Sequence, residues 1–161
     1  MKIFLLLCVA LLFQISGLAR IFHGDAFVNL ALALIVLVWF AGRDHQRVVL
    51  PIFAGAALFG MFSALPFFAV PVSFAAVLAV FYLLSSFLPH RTFLHACVFA
   101  AVGVAVSLGA LWLSLYGAHA AGFSAFSPWS LAFSLSGITG EVVATLAALV
   151  ILYPLRTWIT S

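Results

Sequence analysis

The sequence predicts an all-α integral membrane protein that crosses the bilayer six times. Hydrophobic residues make up 68% of its 161 residues and charged residues only 6%, whereas a soluble domain carries roughly 25% charged residues. The mean hydropathy is +1.38. The apolar runs approach the length of about 20 residues that a helix needs to cross the hydrocarbon core. They lack the period-two alternation of a membrane barrel, so helices that satisfy their own backbone groups are favoured.

The chain is predicted to form a single transmembrane domain, residues 1–161. Lys2 before the first apolar run is typical of a signal peptide, but the weak cleavage site at 16–19 and the closely following second run favour an uncleaved helix. The stretch 119–136 contains many small, polar and turn-forming residues and is compatible with a loop, a re-entrant segment or a helix. The predicted spans are residues 3–19, 26–41, 48–64, 72–88, 93–116 and 133–155.

Small residues in the third and fifth spans are candidates for close helix packing. Four-residue spacing of small side chains lets membrane helices approach each other closely, although glycine and alanine are also simply common there. Pro66 and Pro71 are predicted to interrupt the helix and to form a rigid hinge, because each removes a backbone donor and clashes with the preceding turn. The packing candidates are Gly55, Ala56, Gly60 and Gly109.

The charged residues predict the orientation of the spans. With six spans, five basic residues share a side with both termini and only Arg20 lies opposite. Cytoplasmic loops carry this excess of Lys and Arg, so both termini are predicted to be cytoplasmic in a multi-pass protein of the bacterial inner membrane. The net charge of +3 then reflects topology and lipid contact, and nucleic acid is not expected as a partner. The five residues are Lys2, Arg43, Arg47, Arg91 and Arg156.

Three polar residues are candidates for a site in or beside the spans. Glu141 lies 15 residues before Arg156, which is about 22 Å along a helix. This places it in the outer third of the bilayer rather than at its centre. An acid inside the membrane is a functional candidate, but the helix dipole and water can also accommodate it near a helix start. Asp25 is interpreted as the N-cap of the second span. Asn29, one turn later, is a candidate for a hydrogen bond to a neighbouring helix.

Motifs of enzymes and metal sites are absent from the sequence. It contains no nucleophile elbow, zinc-protease helix, phosphate loop or dinucleotide fingerprint. The five histidines form no facing pair within the spans, and Cys8 and Cys97 lack metal spacing. We therefore expect no catalytic residues, no metal and no cofactor, and a binding or scaffolding role is favoured over an enzyme.

A few residues carry a resemblance to a known family. Ser63, Pro66 and Phe67 follow a glycine-rich third span, Asn29–Leu30 begin the second, and Glu141 opens an apolar last helix that ends in Leu-Tyr-Pro-Leu. With six short spans, this pattern resembles the MreD family of bacterial rod-shape-determining membrane proteins. The sequence departs from the family where Phe59 or Gly60 replaces an aspartate and Phe68 replaces a glycine.

The resemblance implies a fold similar to the substrate-binding subunits of energy-coupling-factor transporters. It implies a non-catalytic role in cell shape, as a membrane protein that binds MreC-like or RodA-like partners in the cell-wall elongation complex. The alternative is a small-molecule-binding transport subunit, whose cavity would be lined by Glu141, Asn29 and His119. A membrane enzyme is the least favoured interpretation, because the acids are few and far apart.

Overall fold

The computed structural model of the protein describes residues 9–10, 29–41, 45–62, 66–88, 92–123 and 135–155, which form helices and the turns and caps at their ends. No strand occurs within these ranges. A short 3-10 turn, Tyr153–Leu155, continues the last helix. Besides residues 9–10, the described ranges contain five helices, α1 (Leu30–Ala41), α2 (His45–Phe62), α3 (Ala69–Phe87), α4 (Phe93–Ala120) and α5 (Leu135–Leu152).

Two of these helices, α3 and α4, are long and apolar enough to cross a membrane. The apolar parts of α1, α2 and α5 are shorter, at 10–17 residues. Each of the five helices overlaps one predicted span. The first predicted span, 3–19, lies outside the described residues except for 9–10, which are helical.

Helix α1 forms the centre of the core. Every residue from Ala31 to Trp39 is buried, as expected for a helix that is apolar on all sides. Helix α1 packs against α4 and α5, while α3 packs against α2 and most extensively against α4. The five helices therefore build one core, with α1 at its centre.

Aromatic rings fill the place where α1, α3 and α4 meet. The rings of Phe81 and Phe99 lie 5.0 Å apart, and Phe40 and Trp39 each meet one of them edge-on at 5.1 and 6.0 Å. Edge-on pairs at this distance contribute about 0.5–1.5 kcal/mol beyond their buried area. These contacts fix the antiparallel arrangement of α1 and α4 at this end of the core.

The prediction that Pro71 interrupts the helix is wrong. Pro66 lies in the turn before α3, but Pro71 is the third residue of that helix. The first-turn N–H groups have no partner inside a helix, so a proline there costs no helical hydrogen bond. The turn between α2 and α3 is thus built around Pro66, and Pro71 belongs to the helix that follows.

Helix α4 extends four residues beyond the predicted end of its span. It begins at the N-cap Thr92, whose hydroxyl accepts from the His95 N–H. It ends in a Schellman motif, in which Phe123 N–H donates to the Ala118 carbonyl and Gly122 N–H to the His119 carbonyl. Gly122 has φ +94°, a conformation that favours glycine. The beginning of the stretch 119–136 is therefore helix and turn, and 135–136 belong to α5; residues 124–134 lie outside the described ranges.

Candidate functional site

Two of the predicted polar residues, Asn29 and Glu141, are in direct contact. Asn29 stands just before α1, and Glu141 lies in the second turn of α5. Although 112 residues separate them along the chain, Asn29 Nδ2 donates to Glu141 Oε1 at 3.3 Å. Both side chains are half-buried. The contact joins α1 and α5 through a carboxyl group that has no other hydrogen bond or ion pair among the described residues.

Asn29 also caps α1. Its Oδ1 accepts from the Leu32 N–H at 3.0 Å, and its backbone carbonyl accepts from the Ala33 N–H. Asparagine is among the preferred N-cap residues, so the amide is held on one side by the cap and on the other by Glu141. The sequence interpretation placed the cap at Asp25, but α1 begins at Leu30, which makes Asn29 its N-cap. Asp25 itself lies outside the described residues.

Thr145 lies one helical turn after Glu141 on the same face of α5. It is fully buried, and its hydroxyl has no hydrogen-bond partner. A buried hydroxyl without a partner costs about 1–3 kcal/mol. Side chains four residues apart lie on the same face of a helix, so Thr145 is the next residue of α5 on the face that presents Glu141. Sequence reasoning missed this residue; its i, i+4 spacing from Glu141 was the signal that could have found it.

The candidate site lies beside the middle of α4. Leu32 Cδ1 approaches to 3.1 Å of the position that a Cβ on Gly103 would take, and Phe81 crowds the same point. Gly103 is the eleventh of the 28 residues of α4. The ring of Phe93, at the start of α4, lies 4.8 Å from the ring of Tyr153, just after the end of α5. The helices α4 and α5 are therefore also antiparallel. Gly103, which the sequence analysis did not single out, is thus the close-packing glycine of α4.

A second polar contact joins α3 to α4. Ser73 and Ser107 are buried, and their hydroxyl oxygens lie 2.9 Å apart. The Ser73 hydroxyl also lies within 3.3 Å of the Ser107 carbonyl. Such hydrogen bonds between helices stabilise packing in an apolar surrounding. The two serine hydroxyl groups are hydrogen-bonded to each other, so this pair is a structural contact and offers nothing to a ligand.

The predicted packing residues have different surroundings. Gly55 and Ala56 are buried in α2. Gly60 is buried against the turn before α3, where a Cβ would collide with the Phe67 carbonyl oxygen and meet Pro71 Cδ at 3.4 Å. Gly109 is exposed, and a Cβ there would meet nothing within 4 Å. Within the described part of the protein Gly109 therefore meets no other helix, and its predicted packing role stays a prediction.

The remaining candidates of the alternative ligand site are not brought together. His119 is exposed near the end of α4, fourteen residues beyond Ala105 on a helix whose middle adjoins Asn29. His95 lies at the start of the same helix, where its Nδ1 is 2.6 Å from the Thr92 hydroxyl. No group of three potential metal ligands forms among the described side chains.

A scan against protein-family models and searches of curated proteins and solved structures returned no match to this chain. Its functional interpretation therefore depends on the geometry of the chain itself.

Proposed function

We propose that the chain is a six-span, non-catalytic membrane protein that binds helices of other membrane proteins. The observation that carries this proposal is a row of small residues on the outside of α4. Ala105 and Gly109 are exposed and Ala101 is half-buried, and the space in front of Gly109 is open. We refer to Ala101, Ala105 and Gly109 as the α4 stripe. Four-residue spacing of small residues is the pattern through which membrane helices approach closely.

The outer surface of the bundle supports a membrane setting. Large apolar side chains are exposed on α3, α4 and α5, with Phe87 79%, Leu94 71% and Ile151 75% accessible. In water, a surface this apolar would mark an interface or aggregate. In lipid it is the ordinary exterior of a helical bundle. On this apolar surface, the small side chains of the α4 stripe would let a partner helix approach closely.

The length of α4 supports the proposed span. Its 28 residues extend about 42 Å, which exceeds the about 30 Å of the hydrocarbon core. Trp112 and Tyr116 stack near its far end, with ring centroids 5.6 Å apart. Trp and Tyr are enriched at membrane interfaces. This pair would therefore lie at the predicted outer surface, with the cytoplasmic end of α4 at Phe93.

The resemblance to the MreD family suggests the kind of partner. We propose that the α4 stripe binds an MreC-like or RodA-like membrane protein of the cell-wall elongation complex in the bacterial inner membrane. A scaffold of this kind needs an uncovered helix-packing surface and no reactive centre. The α4 stripe meets the first requirement.

The test is co-purification from bacterial membranes with a tagged MreC-like protein and, separately, a RodA-like protein. Ala105→Leu places a bulky side chain on the α4 stripe and is expected to reduce capture at least tenfold. Ala147→Leu is the matched control, because Ala147 is an equally exposed alanine on α5 and its substitution should leave capture unchanged. Equal capture by Ala105→Leu and the wild type would refute the proposed surface. Failure of the wild type to capture either partner would refute the proposed complex.

A further inference from the structure

We propose that Glu141, Asn29 and Thr145 form a binding site for one small monovalent cation, a proton or a sodium ion, between α1 and α5. The site takes from the proposed function only the membrane setting. It shares no residue with the α4 stripe.

The depth of Glu141 in the bundle gives the first argument. Gly103 is ten residues, or about 15 Å, from the start of α4, which is half the thickness of a hydrocarbon core. Leu32 contacts that point, and Asn29 is three residues, about 4.5 Å, away along α1. The Glu141 carboxyl, which is bonded to Asn29, thus lies about 5 Å from the middle of the membrane. An acid at this depth is expensive and marks a functional site by default.

The missing positive charge gives the second argument. Within the described residues Glu141 has one hydrogen bond, from the neutral amide of Asn29, and no ion pair. Its neighbour α1 is apolar and buried from Ala31 to Trp39. A half-buried carboxylate beside such an apolar helix is stabilised by a compensating charge. A bound cation supplies this charge.

The arrangement of oxygen atoms gives the third argument. Asn29 donates to Oε1, and Oε2 has no partner among the described residues. The Thr145 hydroxyl belongs to the next residue on the same face of α5, and it is fully buried without a hydrogen-bond partner in the described part of the protein. Carboxylate and hydroxyl oxygens are hard ligands that suit sodium rather than softer metals. A proton on Oε2 would instead donate to the Thr145 oxygen. Either cation gives the orphaned hydroxyl a partner.

No other titratable group of the described part lies close enough to share the site. Helix α1 contributes none. On α4 the nearest in the two directions are Cys97 and Tyr116, which lie six and thirteen residues from Gly103, or about 9 and 20 Å along the helix. On α5, Tyr153 is twelve residues away, about 18 Å. Glu141 is thus the group that titrates here. When a sodium ion replaces a proton at Glu141, or a proton replaces sodium, the net charge of the occupied site stays the same.

The test is labelling of the full-length protein in liposomes with dicyclohexylcarbodiimide, which penetrates the bilayer and reacts with protonated carboxyl groups. Mass spectrometry then measures the adduct on Glu141, with Asp25 and Asp44 as internal comparisons. We expect Glu141 to be modified, and its modification to decrease as the pH rises. Protection by added sodium at constant pH identifies a sodium site, whereas an equal rate with sodium and potassium identifies a proton site. Both results support the proposal.

Two variants test the role of Thr145. Thr145→Val keeps a similar size and removes the hydroxyl, so the proton or sodium concentration at half-labelling should change about tenfold, which corresponds to about 1.4 kcal/mol. Thr145→Ser restores the hydroxyl and should restore the wild-type curve. Thr139→Val, at an exposed threonine of the same helix, is the control and should behave as the wild type.

Two results would overturn the proposal. One is a folded wild-type protein in which Glu141 is not modified at any pH. The other is a Thr145→Val curve that superimposes on that of the wild type. Size-exclusion chromatography in detergent establishes that each variant is folded. A failure of partner capture by the wild type would refute the proposed function without affecting this test.

Discussion

Gly60→Ala is expected to destabilise the bundle through a single added methyl group. Gly60 lies near the end of α2, and the new Cβ would collide with the Phe67 carbonyl oxygen, approach the Phe67 carbonyl carbon to 3.3 Å and Pro71 Cδ to 3.4 Å. These atoms belong to the backbone of the turn and to a proline ring, so no flexible side chain can move aside. The start of α3 must shift, which also disturbs its contact with α2.

The magnitude follows from two opposing terms. Overpacking of this kind costs about 1–3 kcal/mol, and a clash with backbone belongs at the upper end. Replacing glycine by alanine inside a helix returns about 1 kcal/mol. The expected net loss for Gly60→Ala is therefore about 2 kcal/mol. Gly60→Leu adds further atoms at the same point and should lose more.

Gly109→Ala is the matched control, because the same methyl group meets nothing within 4 Å. It should keep the helix-propensity gain and lose nothing, so the two variants are expected to differ by about 3 kcal/mol. The assay is reversible unfolding in mixed detergent micelles, followed by the helical circular dichroism signal. A Gly60→Ala protein as stable as Gly109→Ala would refute the close approach of α2 to the turn before α3.

Two further predictions follow from the contacts and the orientation. Ser73→Ala should destabilise the bundle by about 1 kcal/mol, as expected for a lost hydrogen bond whose partner stays buried. Unfolding of the Ser73→Ala and Ser107→Ala single and double variants should show that their effects on stability are not additive. Additive losses would contradict the hydrogen bond between the two serines. Reporter fusions should place the residue-119 turn outside the cytoplasm and both termini inside it, so a cytoplasmic signal from a fusion after Ala120 would contradict the six-span orientation.

The helices were largely predictable because their cause is local. Long apolar runs must form hydrogen-bonded helices in an apolar surrounding, and each of the five observed helices overlaps a predicted span. Their ends were less predictable. Pro71 was predicted to interrupt the helix, although a proline in the first turn of a helix is tolerated. The end of α4 depends on Gly122, whose positive φ allows the Schellman motif.

The pairing of Asn29 with Glu141 was not predictable, although both residues were chosen as polar candidates. Their contact depends on how α1 and α5 pack, and 112 residues separate them. The close packing of Gly103 was missed for a related reason. Helix α4 is apolar on nearly every side, so its sequence does not indicate which face meets α1. Only packing shows that Gly103 faces inwards and Gly109 outwards.

The two proposed sites lie on different parts of the bundle, and this separation gives each experiment a control in the other. Ala105 is exposed on the outside of α4, whereas Thr145 is fully buried in α5. Ala105→Leu should therefore reduce partner capture and leave the labelling of Glu141 unchanged. Thr145→Val should change the labelling and leave capture unchanged. If either variant altered both measurements, the effect would arise from a general disturbance of helix packing, and neither the α4 stripe nor the cation site would have been shown to act as a distinct site.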